Sequence, residues 1–254
     1  MAGAIALAAV RARALTRGGG WAALVVGTVT YAAGGIPFTL VLLAFFVPSV
    51  ALSRIGRNRK RALVDIGKAG PRDALQVLAN GGIASACALA FALTHDLRLG
   101  WAFAGAYAAA TADTWATEIG TLARGRPRSI FSLRPVATGM SGGITFAGTA
   151  AELAGAVWLG LIAAASSPLG AGGAGLRVFA GIAVAGIAGA TVDSLLGASV
   201  QELRFCPACE RTCETDPHAC GSPTRLMRGV RGLGNDAVNL LATVAGAVAG
   251  AAFA

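Results

Sequence analysis

Long apolar runs separated by short polar segments dominate this sequence, and they limit the folds that are open to it. A helix needs about 20 apolar residues to cross a bilayer. With 55% hydrophobic and 13% charged residues, the chain is also too apolar for an ordinary soluble domain. We therefore predict an all-α, polytopic transmembrane bundle of about seven spans, with a short N-terminal helix at residues 1–10. The predicted spans are residues 20–33, 36–52, 74–93, 99–122, 136–165, 176–200 and 233–254.

Basic residues are concentrated in the polar segments between alternate runs. Of the 21 Lys and Arg residues, 19 lie in segments 11–17, 54–72, 124–134 and 204–231. Cytoplasmic loops of membrane proteins carry such an excess of positive charge. We predict that residues 1–254 form one membrane-embedded catalytic domain. It would lie in the cell (inner) membrane, with cytoplasmic loops 54–72, 124–135 and 201–231. Because orientation accounts for the sequence pI near 10.4, no nucleic-acid partner is expected.

Carboxylates lie inside the apolar runs, where ionisable groups usually mark a site or a pathway. Asp113 and Glu118 share the segment ATADTWATEIG. They lie about 140° apart around a helix, so one helix cannot direct both at a single ion. Asp193 and Asp236 supply carboxylates from other helices. We predict these four acids as catalytic, with Asp113, Asp193 and Asp236 binding Mg²⁺; ion pairs that hold the helices in register are the structural alternative.

Polar and glycine-rich segments near these acids predict a phosphate site. The segment RPVATGMSGGIT (134–145) precedes an apolar run, and backbone N–H groups beside a helix N-terminus can bind an anion. Close helix packing explains the same glycines. The candidate substrate- and nucleotide-binding residues are Arg72, Asn80, Arg134, Gly139, Ser141, Gly142, Gly143, Ser194, Gln201, Asn235 and Asn239.

The segment CPACERTCETDPHACG (206–221) holds four of the five cysteines. Cysteine and histidine at this spacing are typical of a tetrahedral Zn²⁺ site. The preferred ligands are Cys206, Cys209, His218 and Cys220, with Cys213 competing for the place of His218. Free thiols in a mobile loop are the alternative. A structural zinc would fold this cytoplasmic Cys-rich loop beside Asp236.

Five strings occur in an order that resembles a known membrane family. They are RDALQVLANGG (72–82), ADTWATEIG (112–120), RPVATGMSGGIT (134–145), DSLLGASVQ (193–201) and GNDAVN (234–239). The chain is similar over nearly its whole length to the family catalogued as domain of unknown function 92. That family includes the plant phytyl-phosphate kinase of tocopherol synthesis. We call the segment 134–145 the glycine turn. Within it, Met140 stands where the family pattern has a hydroxyl residue, and Arg134 stands where it has Lys.

The resemblance implies a Mg²⁺-dependent transfer of a phosphoryl group from CTP or another nucleotide to a membrane prenyl monophosphate, giving the diphosphate. By that resemblance Asp113, Glu118, Asp193 and Asp236 would bind metal or orient phosphate, and Asn80 and Asn239 would assist. The bilayer, the prenyl phosphate and the nucleotide are then the partners, and a homodimer is a candidate assembly. A CTP-dependent lipid nucleotidyltransferase and a small-solute or ion transporter are the alternatives.

The charge distribution predicts that Asn58 faces the cytoplasm, because the opposite topology would export 19 of 21 positive charges. A cysteine introduced as Asn58→Cys should therefore resist a membrane-impermeant maleimide in intact cells. Thr94→Cys, in the predicted outer connection 94–98, should be labelled under the same conditions. If Asn58→Cys were labelled and Thr94→Cys were protected, the predicted orientation would be wrong.

Overall fold

Helices make up most of the structure, a computed structural model that describes residues 2–63, 70–166, 168–170 and 173–254. The mostly helical character predicted from the sequence is confirmed. Eight α-helices occur within the described residues. They are α1 (Ala2–Arg11), α2 (Arg17–Arg54), α3 (Arg57–Leu63), α4 (Ala74–Thr94), α5 (Leu97–Gly120), α6 (Phe146–Ala165), α7 (Gly175–Ser199) and α8 (Asn235–Ala252).

Short β-strands correct the prediction of an all-α chain. Strand β3 is central in an antiparallel sheet of order β4-β3-β5, and β1 pairs with β2. Strands of two to four residues are too short to produce a readable alternation of polar and apolar residues. The strands are β1 (Arg128–Ser129), β2 (Gly143–Ile144), β3 (Leu203–Cys206), β4 (Arg211–Cys213) and β5 (Arg225–Arg228).

The first two predicted spans form the two arms of α2, which bends sharply at Gly35. Gly35 has φ 59° and ψ −145°, a backbone conformation that is essentially restricted to glycine. A straight helix of this length would place its ends about 57 Å apart. Instead Nη2 of Arg54 donates to the carbonyl oxygen of Ala12 at 3.1 Å. The second arm therefore returns to the end of the molecule where the first arm begins.

Among the described residues, four helices are long and apolar enough to cross a membrane, namely α2, α4, α6 and α7. The predicted span 136–165 begins too early, because its first ten residues form a turn and β2 before α6 starts at Phe146. Thr145 caps α6 by accepting a hydrogen bond from the Gly148 N–H at 3.0 Å. The predicted spans at α5 and α8, which carry acids or amides near one end, stay predictions.

Helix α5 lies at the centre of the bundle and contacts α2, α4, α6, α7 and α8. Every α5 residue from Gly100 to Ala112 is buried. Glycines at the crossings permit this packing, since a Cβ at Gly105 would collide with the carbonyl of Gly246 and one at Gly189 with Ala109. Small residues let the backbones approach closely, as is common in membrane bundles.

Basic segments converge at one end of the bundle, which we call the cavity end. The Arg72 N–H donates to the Ala14 carbonyl and its carbonyl accepts from Thr16 N–H, both at 3.0 Å. Lys60 contacts Glu118 near the end of α5. The glycine turn packs against the end of α7, where a Cβ on Gly142 would collide with Ala198. The short connection between α4 and α5 lies at the opposite end.

The bend in α2 predicts that Gly35→Ala destabilises the protein. A side chain in this backbone conformation costs about 1–3 kcal/mol. Gly82→Ala in α4 is the control, because a Cβ there would meet only Leu78 Cβ, at 4.0 Å. Thermal unfolding in detergent should show a lower Tm for Gly35→Ala and an unchanged or higher Tm for Gly82→Ala. Equal Tm values for Gly35→Ala and wild type would contradict this account of the bend.

Candidate functional site

A polar cavity of about 430 Å³ opens at the cavity end. Its walls come from α2, α4, α5, α6, α7 and α8, together with the glycine turn and the Cys-rich segment. Such a cavity is large enough for a small-molecule or cofactor site. It concentrates charged and amide side chains in an otherwise apolar bundle.

Five carboxylates line this cavity among the described residues. They come from α5, α6, α7 and the Cys-rich segment: Asp113, Glu118, Glu152, Asp193 and Glu214. Like charges gathered in a partly buried space repel, and each needs a cation, a proton or hydrogen bonds. The Oδ2 atom of Asp193 is buried and accepts no hydrogen bond within the described structure. A cation would satisfy that oxygen.

Glu118 has a protein partner. Lys60 Nζ lies 2.5 Å from Glu118 Oε2 and also donates to the Leu52 carbonyl at 2.7 Å. Both side chains are largely shielded, with 13% and 20% exposure. This pair matches the structural alternative considered for the acids, and it fixes α3 against α5. Glu118 therefore needs no metal to offset its charge.

Basic residues line the same cavity as these acids. They are Arg13, Arg54, Arg57, Lys60 and Arg72. Burial lowers the pKa of the Arg72 guanidinium, and the nearby carboxylates Glu118 and Asp113 oppose that shift. An arginine stays charged even so, because its ordinary pKa lies far above neutral pH. The cavity therefore presents both carboxylate oxygens and fixed positive charge.

The glycine turn contacts a carboxylate of the protein itself, and the predicted binding of a phosphate there stays a prediction. Ser141 Oγ donates to Glu214 Oε1 at 2.5 Å and accepts from Gln201 Nε2 at 2.8 Å. Burial raises the pKa of Glu214, while hydrogen bonds from the Ser141 side chain and backbone oppose the rise. The turn, α7 and the Cys-rich segment are thus joined at one point.

Most of the residues predicted from the sequence line this one cavity. They are Arg72, Asn80, Asp113, Glu118, Gly139, Ser141, Gly142, Gly143, Asp193, Ser194, Asn235 and Asn239. Three others are not part of its lining within the described structure. Gln201 is buried behind Ser141, Asp236 follows Asn235 in the first turn of α8, and Arg134 is exposed.

Glu214 and Lys60 are among the cavity residues that the sequence analysis did not predict. Glu214 follows Cys213 in a segment that was interpreted only as a metal loop, although an acid beside predicted ligands was a usable signal. Lys60 was one of many positive charges, and nothing in the local sequence indicated that it would pair with Glu118. Both depend on contacts between segments more than 50 residues apart in the chain.

The Cys-rich segment brings together the four ligands preferred from the sequence. Ligand atoms of Cys206, Cys209, His218 and Cys220 all lie within 4.8 Å of one another. Tetrahedral Zn²⁺ with Zn–S bonds near 2.3 Å requires sulfur atoms about 3.8 Å apart. The Sγ atoms of Cys206 and Cys220 are 3.6 Å apart. The set fits a metal such as zinc, and Cys213 is excluded from it because its Sγ faces the Thr215 carbonyl at 3.6 Å.

Local hydrogen bonds prepare this cluster for a cation. Contacts with Ser222 and His218 lower the pKa of the Cys220 thiol to about 5, which favours the thiolate that binds metal. His218 Nδ1 lies 3.2 Å from Cys220 Sγ. Arg204 on β3 holds the returning chain by donating to Asp216 Oδ2 at 2.5 Å and to Thr224 Oγ1 at 2.7 Å.

Comparison with known proteins gives matches along most of the chain. The family described as integral membrane protein DUF92 matches residues 1–247. Protein PGR of Arabidopsis thaliana is 32% identical, covering 93% of this chain and 88% of that protein. A protein of Methanocaldococcus jannaschii named as an uncharacterized membrane protein is 29% identical, covering 97% and 88%. A similarly named Synechocystis protein is 30% identical over 78% and 76%. No solved structure shows significant similarity.

The cluster predicts that the purified protein carries about one zinc per chain. Cys206→Ser should lose it, because a ligand thiolate is removed. Cys213→Ser is the matched control and should keep it, since that sulfur lies outside the ligand set. Elemental analysis of the detergent-purified proteins measures both. Equal zinc contents in the two variants would contradict the assignment.

Proposed function

We propose that this chain, which belongs to the integral membrane protein family DUF92, is a prenyl-phosphate kinase. It would transfer a phosphoryl group from CTP or another nucleoside triphosphate to a membrane isoprenoid monophosphate of the phytyl-phosphate type. The product would be the diphosphate. Magnesium would be the catalytic cofactor and zinc a structural one.

The observation that carries this proposal is the pairing of acids and bases in one cavity. Asp113 and Asp193 lie on different helices and line the same space as Arg57, Lys60 and Arg72. Phosphoryl transfer needs metal ions to neutralise phosphate oxygens and fixed cations to position them. A cavity that combines both groups at the end of an apolar bundle therefore supports phosphoryl transfer.

The carboxylates fit a magnesium ion by their chemistry. Mg²⁺ prefers hard oxygen ligands and is usually bound through one or two carboxylates and substrate phosphates. Asp113 and Asp193 would hold it, and the unsatisfied Asp193 Oδ2 is suited to do so. Asp236, next to the cavity residue Asn235, is the third candidate ligand. When bound, the ion would offset charge on the phosphates during transfer.

The acceptor phosphate needs little help from a general base. Its attacking oxygen is already largely ionised near neutral pH. The chain's task is therefore to hold two anions together, and the basic residues of the cavity would do this. Arg72 is a candidate for this role, because it lines the cavity and keeps its positive charge there.

The position of the cavity suits substrates from two phases. Four apolar helices indicate a multi-pass protein, and we propose that α5, α8 and the two arms of α2 complete about seven spans in the cell (inner) membrane. Positive charge at the cavity end supports a site at the cytoplasmic surface. There a lipid phosphate and a soluble nucleotide can meet.

A lipid nucleotidyltransferase would use the same cavity with the same nucleotide and metal. Product analysis separates the two reactions. CDP with a lipid diphosphate indicates the kinase, whereas pyrophosphate with a CDP-lipid indicates nucleotidyl transfer. A transporter is less well supported, because the carboxylates gather at one end of the bundle instead of marking a path through it.

Asp113→Asn, Asp193→Asn and Asp236→Asn should each lower lipid-diphosphate formation by about 10²-fold or more, because catalysis here is electrostatic. The control is Asp96→Asn at the opposite end. Asp96 caps α5 by accepting from Arg98 N–H at 2.9 Å, and asparagine caps equally well. Labelled CTP, farnesyl phosphate and limiting Mg²⁺ provide the assay, with yield of folded protein measured in parallel.

If a folded variant turns over at the same rate as Asp96→Asn, the aspartate that was replaced in it is not a metal ligand. If all three do so, the acids have a structural role and the kinase proposal fails. Formation of a CDP-lipid by the wild type would replace the kinase with the nucleotidyltransferase.

A further inference from the structure

We propose that a second, apolar cavity binds the head-proximal part of the isoprenoid chain, so that the substrate lies across two adjoining cavities. This inference rests on the proposed function and adds the site of the lipid tail. The apolar cavity has a volume of about 80 Å³ and lies beside the polar one. We call it the chain groove. Its principal walls are Ile5, Ala23, Val26, Leu42, Phe46 and Val77.

The chain groove exists because α2 doubles back on itself. Ala23 and Val26 come from the first arm of α2, Leu42 and Phe46 from the second, and Val77 from α4. The short helix α1 closes the remaining side through Ile5. Tyr31, also in the lining, is 50% exposed. The groove is therefore an opening between helices that continues to the outer surface of the bundle.

Among the described residues, three line both cavities, and they mark the point where the two cavities meet. They are Arg72, Gln76 and Asn80. The Arg72 guanidinium lies 5.9 Å from the centre of the Phe45 ring, which also lines the groove. An arginine at this point can bind a phosphate on one side while its stem packs on apolar groups on the other. An amphiphile with an anionic head and a single apolar tail matches this arrangement.

The size of the groove limits how much of the tail it can hold. By the same measure a water needs about 10–15 Å³, so the groove accepts roughly five to eight groups of water or methylene size. That corresponds to the first one or two isoprene units after the phosphate. The remainder of a longer chain would lie in lipid at the outer surface. The structure therefore assigns selectivity to the head-proximal units and predicts tolerance of length beyond them.

Two pairs of variants test the groove. Ala23→Phe fills it from α2, and its matched control is Ala32→Phe, an exposed position on the same arm outside the lining. Val77→Phe fills it from α4, and its control is Leu78→Phe, whose side chain is 43% exposed. The substrates are dimethylallyl, farnesyl and geranylgeranyl phosphates. Binding of tritiated geranylgeranyl monophosphate to detergent-purified protein is measured beside turnover.

Both filling variants should lower kcat/KM for geranylgeranyl phosphate at least about tenfold, or about 1.4 kcal/mol. Dimethylallyl phosphate should be affected less, because it needs less of the groove. Wild-type protein should use farnesyl and geranylgeranyl phosphates with similar kcat/KM. If the filling variants fold and match their controls, the groove proposal is overturned while the kinase stands.

The binding measurement separates the two proposals. A wild type that binds the labelled lipid without forming diphosphate, and loses binding in Ala23→Phe and Val77→Phe, retains the groove and refutes the kinase. If the wild type shows neither binding of the lipid nor turnover, both proposals are refuted. If one filling variant fails to fold, the other decides, because the two act from different helices.

Discussion

Close packing around α5 is the constraint on which the rest of the structure depends. This helix is buried from Gly100 to Ala112, and it can be so only because glycines such as Gly105 and Gly246 face each other without side chains. The hydrophobic effect does little to associate helices within lipid, so van der Waals contact at such crossings is the main attraction. The same crossings set the relative heights of α5, α7 and α8. Those heights decide that Asp113 and Asp193 reach one cavity.

With the helices in place, the polar segments at the cavity end compensate the negative charge of the acids that line the cavity. Lys60 offsets Glu118, and Ser141 with Gln201 binds Glu214. The Cys-rich sheet supplies Glu214 and also Arg228, whose Nη2 donates to the Gly197 carbonyl at 2.9 Å. A metal bound by the cysteines would therefore act on the cavity at a distance, because it orders the sheet that supplies these groups.

Arg72 lies where the two kinds of chemistry meet. Its backbone is tied to the segment between α1 and α2, and its side chain lies between a polar cavity and an apolar groove. The surface of a bilayer has the same arrangement, with charged groups on the aqueous side and hydrocarbon in the interior. The bend at Gly35 creates the groove by returning the second arm of α2 alongside the first. One conformationally special glycine thus shapes a surface that many apolar residues line.

The sequence by itself determined the membrane class, the position of most helices and a Cys and His cluster that could hold a metal, and most of the site residues it singled out line the cavity. Apolar length and positive charge are local properties of the chain, and metal-ligand spacing is nearly so, which is why they can be read directly. Tertiary structure alone decided that Glu118 is paired with Lys60, that Glu214 enters the cavity, and that α2 folds back to form a groove. Those outcomes follow from contacts between distant segments, whose geometry depends on how closely the helices pack rather than on any short string of residues.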